Sequence, residues 1–300
     1  MGKRVLLAVN PHARTGAEAH DRAAAALRKR GHTVVEVPPG GSPGAVADAI
    51  RAHRDDVDAI VVGGGDGSLL AALAGLVDAK LPLAILPLGT FNELARTLGV
   101  PHDPDEVAAL LDDGVPVPID VGCVNGTYYF NEASIGLSTQ VTRLQTSAVK
   151  RALGMFAIPV TTLRAMRWMR PLHLEIESED GAKQTVRAVQ LTVANSYRFG
   201  GVVENPEASL EDGELWLYAV DVRGFWNTVR IVAAVALRRF QRASDVATLR
   251  GKRFRVRSLH GGAHRVFADS ENVARLPAEF TIVKGGVTIL VPERKVPEIR

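Results

Sequence analysis

The sequence predicts an α/β domain with a mostly parallel sheet, followed by a second, mainly antiparallel β domain. Three observations carry this expectation. Through about residue 115, short apolar runs alternate with helical patterns, the rhythm of a parallel sheet covered by helices on both faces. From residue 117 the runs become strand-like and are divided by turn residues. The length of 300 residues is long for one core and comfortable for two. The boundary is expected near 119/120, giving domains 1–119 and 120–289, with 290–300 free to dock on the first domain's sheet edge.

Residues 4–9 ("RVLLAV") read as a first strand and "NPHARTG" as the loop after it. An alanine-rich helix over 17–30 stops at Gly31, a residue suited to a helix C-terminus. "TVVEV" is a second strand, followed by the Pro/Gly loop "PPGGSPG" and a helix to about Arg54. "DAIVV" is a third strand that runs into "GGGDGS". Leu69, Leu70, Leu73, Leu76 and Val77 then recur at helical spacing, with Ser68 placed as the N-cap. "LAILP" is a fourth strand, "LGT" a turn, and "FNELARTL" a helix closed by Gly99 with Pro101 beyond it. The loops at 10–16, 63–68 and 87–92 all follow strands, so they can converge where parallel sheets bind ligands.

In the second half, "VPIDVGCV", the Asn125–Gly126 turn and "TYYFNEASIGL" read as a hairpin. Further strands are expected at "PLHLEIES", "TVRAVQLTVAN", "ELWLYAVDV", "KRFRVRS", "HRVFAD" and "VTILVP". Helical patterns interrupt at about 138–169 and 224–241.

Composition narrows the function classes. One cysteine, Cys123, rules out an internal disulfide and a cysteine-rich zinc site, and suits a reducing cytoplasm. No apolar run approaches the ~18 residues that span a bilayer, and "VLLAV" is too short for a signal sequence. A soluble, unprocessed protein is expected. Residues 1–119 carry 11 Lys/Arg and 15 Asp/Glu, a net of −4, whereas 120–300 carry 25 and 18, a net of +7. Acid-free stretches at 133–174 and 222–244 hold much of that positive charge. It fits either an anionic partner or a solvated arginine-rich face. The basic stretches lack interleaved aromatics, so nucleic acid is not expected. The eight histidines are scattered, and no G-x-S-x-G elbow is present.

The glycine loop is neither a P-loop, which needs G-K-[ST], nor a dinucleotide fingerprint, because Ser68 stands where a third glycine belongs. Asp66 puts a negative charge among amides that would otherwise hold phosphate. It is either an exposed turn residue or a ligand for the Mg²⁺ that accompanies ATP. In the second case the remaining phosphate charge would meet backbone N–H groups and Arg14 or Arg96.

Taken together, "NP" with Gly16, "GGGDGS" (63–68), "PLGTFNELAR" (87–96), "NEASIGLSTQV" (131–141), "VANSYRFGG" (193–201), "ASLEDGELWL" (208–217) and "DSE" (269–271) resemble the bacterial diacylglycerol kinase-like lipid kinases. That group is related to sphingosine, ceramide and NAD kinases. The resemblance covers nearly the whole chain. It implies an N-terminal doubly wound domain like that of phosphofructokinases and NAD kinases, and a C-terminal antiparallel β-sandwich that serves the lipid. It implies an ATP-binding set of Asn10, Pro11, Arg14, Gly16, Gly64, Gly65, Asp66, Gly67, Ser68, Gly89, Thr90 and Asn92. Glu271 is the implied general base and Asp66 the second catalytic residue. Asp212, with the backbone oxygens of Leu210 and Glu214, is the implied structural Mg²⁺ site. Spacing alone reads "DSEN" and "LEDGEL" as surface turns.

The chain departs from the family pattern at Ser68 for threonine, Leu70–Ala71 for Asn-Glu, Glu93 for aspartate and Ser270 for glycine. The loop "PPGGSPG" lacks the usual threonine, with Ser42 as a substitute. Residues 149–170 place Leu153, Phe156, Ala157, Val160, Leu163 and Met166 on one helical stripe between arginines. The stripe reads equally as a bilayer-facing surface and as a core helix. The expected function is transfer of the ATP γ-phosphate to a diacylglycerol or related lipid hydroxyl, in the cytoplasm and peripherally on the membrane. The alternatives are a kinase of a soluble acceptor such as NAD, and a non-catalytic lipid- or nucleotide-binding protein. A homodimer is allowed for but not fixed by the sequence.

Overall fold

The computed structural model describes residues 2–13, 16–38, 44–137, 171–196, 198–199, 203–205, 207–221, 246–262, 264–269 and 271–293. The chain divides into two compact units, Met1–Val121 with Ser209–Asp212 and Val283–Arg300, and Gly122–Ala208 with Gly213–Ile282.

In the first unit β1 (Arg4–Val9), α1 (Gly16–Lys29), β2 (Thr33–Glu36), α2 (Ala45–His53), β3 (Ala59–Gly64), α3 (Asp66–Ala79) and β4 (Leu83–Pro87) alternate. The strands pair in parallel in the order β2-β1-β3-β4. Val5–Leu7, Ile60–Val62 and Leu83–Leu86 are buried without alternation, as strands covered on both faces must be. The chain steps from β1 to β2, then back across β1 to β3. Right-handed crossovers therefore place α1 on one face and α2 and α3 on the other. The packing agrees: α2 lies on α3, and α1 on α5 (Pro104–Asp113). Gly75 permits the α2–α3 contact, since a Cβ there would come 2.5 Å from the Ala47 carbonyl oxygen. Asp103 caps α5 by accepting from Asp105 N, with Pro104 in the first turn. A short α4 (Glu93–Thr97) precedes it.

Beyond β5 (Val115–Val124) the second unit is antiparallel. β6 (Thr127–Tyr129) returns on β5 across Asn125 (φ 47°) and Gly126 (φ 86°), both left-handed as a type I′ turn requires. One sheet contains β8 (Leu172–Ser178), β9 (Lys183–Ala188), β15 (Arg253–Ser258) and the start of β18 (Ala278–Val291). The other runs β14 (Val246–Gly251), β13 (Leu215–Val220), β10 (Gln190–Ala194), β7 (Glu132–Gly136), β16 (Arg265–Ala268) and β17 (Glu271–Arg275). A two-stranded ribbon, β11 (Arg198–Phe199) with β12 (Val203–Glu204), lies between β10 and β13 in sequence. Ile176, Val186, Phe254 and Phe280 from one sheet fill a single core with Ile135, Val193, Leu217 and Val266 from the other. The fold class, a doubly wound α/β domain plus an antiparallel sandwich, is borne out.

Three elements differ from expectation. Two runs read as single strands are each broken in two, β6/β7 and β9/β10, and their halves belong to different sheets. The expected strand "VTILVP" begins much earlier, at Ala278. Its last part joins the first unit's sheet, where Ile289 pairs in parallel with Leu83. Ser68 is not the N-cap of α3: the helix starts at Asp66 with Gly65 as cap, and the Ser68 hydroxyl accepts from Asn10 Nδ2 at 3.0 Å. The helical patterns at 138–169 and 224–241 lie outside the described residues, so the amphipathic stripe over 149–170 does too. Among the described residues, no helix is long and apolar enough to cross a membrane.

Candidate active site

The loops at the carboxyl ends of β1, β3 and β4 are tied together by backbone. Asn10 N donates to the Gly63 carbonyl oxygen at 2.8 Å, and Leu88 N to that of Gly64 at 2.9 Å. The Asn10 side chain closes its own loop, accepting from His12 N at 2.9 Å while its amide reaches Ser68 Oγ. Gly16 N bonds Ala13 O, and a Cβ at Gly16 would stand 2.3 Å from the Asn10 carbonyl oxygen. Gly65 and Gly89 touch backbone to backbone: a Cβ on Gly89 would fall 2.5 Å from Gly65 Cα and 2.6 Å from Asn92 Oδ1.

Asn92 is buried in the left-handed region (φ 46°, ψ 52°). Its side chain accepts from Gly89 N at 2.9 Å and donates to Gly89 O at 2.8 Å. The pair of bonds fixes the tight turn that carries Thr90 and Phe91. Asp66 Oδ1 accepts from Glu93 N, the first residue of α4, at 2.8 Å. The aspartate therefore also joins the glycine loop to the β4 loop and caps a helix.

A cavity of about 710 Å³ opens at the carboxyl ends of β1 and β3, where the strand order reverses and where doubly wound sheets bind ligands. Asn10, Pro11, Gly65, Gly67 and Ser68 line it as the sequence predicts. Sequence reasoning missed its other wall. Val37 and Pro38 after β2, and Ala45, Val46 and Ala49 on α2, form an apolar flank, with His12 beside them. The signal was present as small apolar residues on one helix face, but "AVADAIRAH" reads equally well as ordinary core. Ala71 lines the cavity in place of the polar residue that the family pattern has there. Asp66, Gly89, Thr90 and Asn92 stand on the β4 side and are not among its lining residues. Arg14 lies outside the described residues, as do Ser42 and Ser270.

In the second unit, three sequence-singled segments meet. The Asp269 carboxylate accepts from Phe130 N at 2.7 Å, Asn131 N at 3.0 Å and Glu132 N at 3.1 Å. Asn195 grips the other side of that corner, donating from Nδ2 to Phe130 O at 2.9 Å and from its backbone to Asn131 O at 2.8 Å. Burial pushes the Asp269 carboxyl up, and the three backbone donors oppose it. This clamp is what breaks the expected strand between β6 and β7, since those N–H groups serve a side chain and not a neighbouring strand. Asp269 itself is left-handed (φ 44°), and the chain turns there toward Glu271, exposed at the start of β17.

The implied metal residues occupy one turn. Leu210 is buried and its carbonyl oxygen accepts from Asp120 N at 2.7 Å. Asp212 accepts from Ser209 N at 3.3 Å, and Gly213 (φ 73°) lets the chain double back. The Glu214 side chain pairs with Arg250. Among the described residues, no cluster of three or more His, Cys, Asp or Glu side chains could hold a metal by itself.

A glycine loop at a parallel-sheet switch point, followed by an antiparallel sandwich, defines a two-domain α/β-plus-sandwich protein with a ligand site at its parallel sheet. Two family models divide the chain accordingly. The diacylglycerol kinase catalytic domain matches residues 4–124, and the YegS C-terminal NAD kinase beta sandwich-like domain matches 131–291. The diacylglycerol kinase of Bacillus subtilis (strain 168) is 30% identical over 84% of this chain and 85% of its own length. A probable lipid kinase YegS-like protein of Klebsiella pneumoniae (strain 342) is 34% identical over 57% of this chain and 60% of its own. A crystal structure of a diacylglycerol kinase from Bacillus anthracis superposes with a TM-score of 0.76 at 24% identity, covering 98% of each chain. The Archaeoglobus fulgidus NAD kinase solved with ATP shares the fold at a TM-score of 0.56 and 14% identity, over 98% of this chain and 96% of that one. The chain belongs to the diacylglycerol kinase-like lipid kinase family, and is a phosphotransferase with an alcohol group as acceptor.

Proposed function

We propose that this protein transfers the γ-phosphate of ATP to a free hydroxyl of diacylglycerol or a closely related lipid. The observation that carries the reading is the cavity over β1 and β3, apolar on its α2 side and edged by the backbone of the glycine loop. That is the division a nucleotide needs, a flat base against aliphatic side chains and phosphates against N–H groups. Asn10, Gly65, Gly67 and Ser68 then hold the polyphosphate, and Pro11 flanks it.

The donor set fits Mg²⁺ in one particular way. With no protein-only cluster among the described residues, the ion would be shared between Asp66 and the phosphate oxygens, the usual arrangement for a cation that keeps its waters. When bound, it would neutralise charge on the transferred group. On the family pattern, Asp212 and the carbonyl oxygens of Leu210 and Glu214 would hold a second, structural Mg²⁺ through oxygen donors. The lipid hydroxyl needs a base, and we assign that role to Glu271, worth ~10²–10⁴-fold in rate.

The test is transfer of labelled γ-phosphate from Mg-ATP to a panel of lipids in mixed micelles, beside NAD and a tube without acceptor. Label is expected in diacylglycerol and to fall by at least ~10²-fold in Glu271→Gln. Label in NAD alone would assign a soluble acceptor. ATP binding without transfer to any acceptor would leave a binding protein.

A further inference from the structure

Phe91 is the most exposed large apolar side chain among the described residues, 67% exposed; the only other is Leu259, at 41%. Its position is not that of a loose loop residue. Gly89 on one side is pressed against Gly65, and Asn92 on the other is buried, left-handed and doubly bonded to Gly89. The chain therefore holds a phenyl ring in solvent on one of the most constrained turns of the first unit. Two residues further on, Glu93 N is bonded to Asp66. A ring kept in water on a rigid turn is an apolar contact prepared in advance.

The sheet order says what the ring meets. The apolar wall for a base is built by the end of β2 and by α2, at one end of the row β2-β1-β3-β4. The glycine loop follows β3, in the middle, and Phe91 follows β4, at the far end. A nucleotide laid with its base on α2 points its terminal phosphate toward β4. Phe91 is thus displaced from the base in the direction of the acceptor, and does not line the base cavity.

We propose that Phe91 is a specificity-determining residue that packs on the apolar part of the acceptor, just beyond its reacting hydroxyl. The inference rests on the lipid kinase reading and assigns a lipid contact to the nucleotide-binding unit. It predicts that this unit itself selects for an acceptor with hydrocarbon next to the hydroxyl.

The experiment compares wild type, Phe91→Ala and Phe91→Leu in phosphate transfer to long-chain diacylglycerol and dioctanoylglycerol in mixed micelles and to glycerol in solution, with Mg-ATP titrated separately. Phe91→Ala should raise the KM for the diacylglycerols about tenfold, leaving the KM for Mg-ATP and the slow rate with glycerol unchanged. Phe91→Leu should recover most of the loss, and the melting temperature should not move because the ring is exposed. A raised KM for ATP with unchanged lipid kinetics would place the ring on the nucleotide and overturn the proposal. So would an unchanged preference for diacylglycerol over glycerol. Wild-type protein that phosphorylates no lipid overturns both readings, whereas a lipid kinase indifferent to Phe91 overturns this one alone.

Discussion

Asp66 shows how a single residue can serve structure and chemistry at once. In the sequence it raises a conflict, a carboxylate where phosphate belongs, and the conflict points to a cation. In the structure its Oδ1 is also the acceptor for Glu93 N, a tie that no spacing rule announces because its partner lies 27 residues away. The two roles separate by mutation. Asp66→Asn keeps an acceptor for Glu93 N and removes the charge, so its melting temperature should stay close to wild type. Its kcat/KM for Mg-ATP should fall by roughly 10²-fold or more if the carboxylate shares the ion. Asp66→Ala should add a stability loss of about 1–2 kcal/mol from the orphaned helix cap, measured by urea unfolding. An Asn variant with wild-type turnover would reduce Asp66 to the helix cap. The glycines are more legible, because each close approach leaves a mark: Gly16 and Gly89 lie where a Cβ would strike backbone, and at Gly65 it would press on Gly89 Cα.

At the scale of elements, the parallel half could be read almost strand by strand, since its buried strands are continuous apolar runs between glycine-bearing turns. The sandwich half was harder for a physical reason. Alternation persists through a corner, so a strand that leaves one sheet and enters the next still reads as one strand, as "TYYFNEASIGL" does. What breaks it is the carboxylate of Asp269, more than a hundred residues away in sequence. Its three backbone bonds predict a large, specific cost of removal. Asp269→Ala leaves buried N–H groups at Phe130, Asn131 and Glu132 without their acceptor and should destabilise the protein by about 3 kcal/mol or more. Asp269→Asn retains acceptor capacity on one atom and should cost less. The turn that delivers Glu271 starts at Asp269, so kcat should fall in both variants even at temperatures where each is fully folded. If Asp269→Ala unfolds at the wild-type urea concentration, the clamp carries no such energy.

At the scale of the whole chain, the first unit is not one continuous stretch of sequence. The first unit takes in Ser209–Asp212 and the chain from Val283 onward, and these returns are built into its interior. Val287, Ile289 and Val291 are buried at its sheet. Asp120, 1% exposed, is a meeting point for all three segments: its N–H reaches Leu210 O at 2.7 Å, and its Oδ1 accepts from Gly285 N at 2.8 Å. The sequence points residues 290–300 to the first domain's sheet edge, but not to a strand that begins at Ala278 and pairs with β4, because a strand's register in a sheet is fixed by long-range pairing and leaves no local mark. A boundary drawn from composition alone therefore predicts a fragment that the physics disfavours. Residues 1–121 expressed alone would lack a buried strand and leave one edge of a parallel sheet open, with Leu83 facing water. They should be aggregated or molten, with weak near-ultraviolet dichroism and no cooperative urea transition. A chain ended after Ile282 should fail in the same way, although it keeps every residue assigned here to the nucleotide. Cooperative unfolding of either fragment at the full chain's midpoint would show that β18 only decorates the first unit. Failure of both would mean that the nucleotide cavity exists only once the last strand is in place, and so after the sandwich sequence has been synthesised.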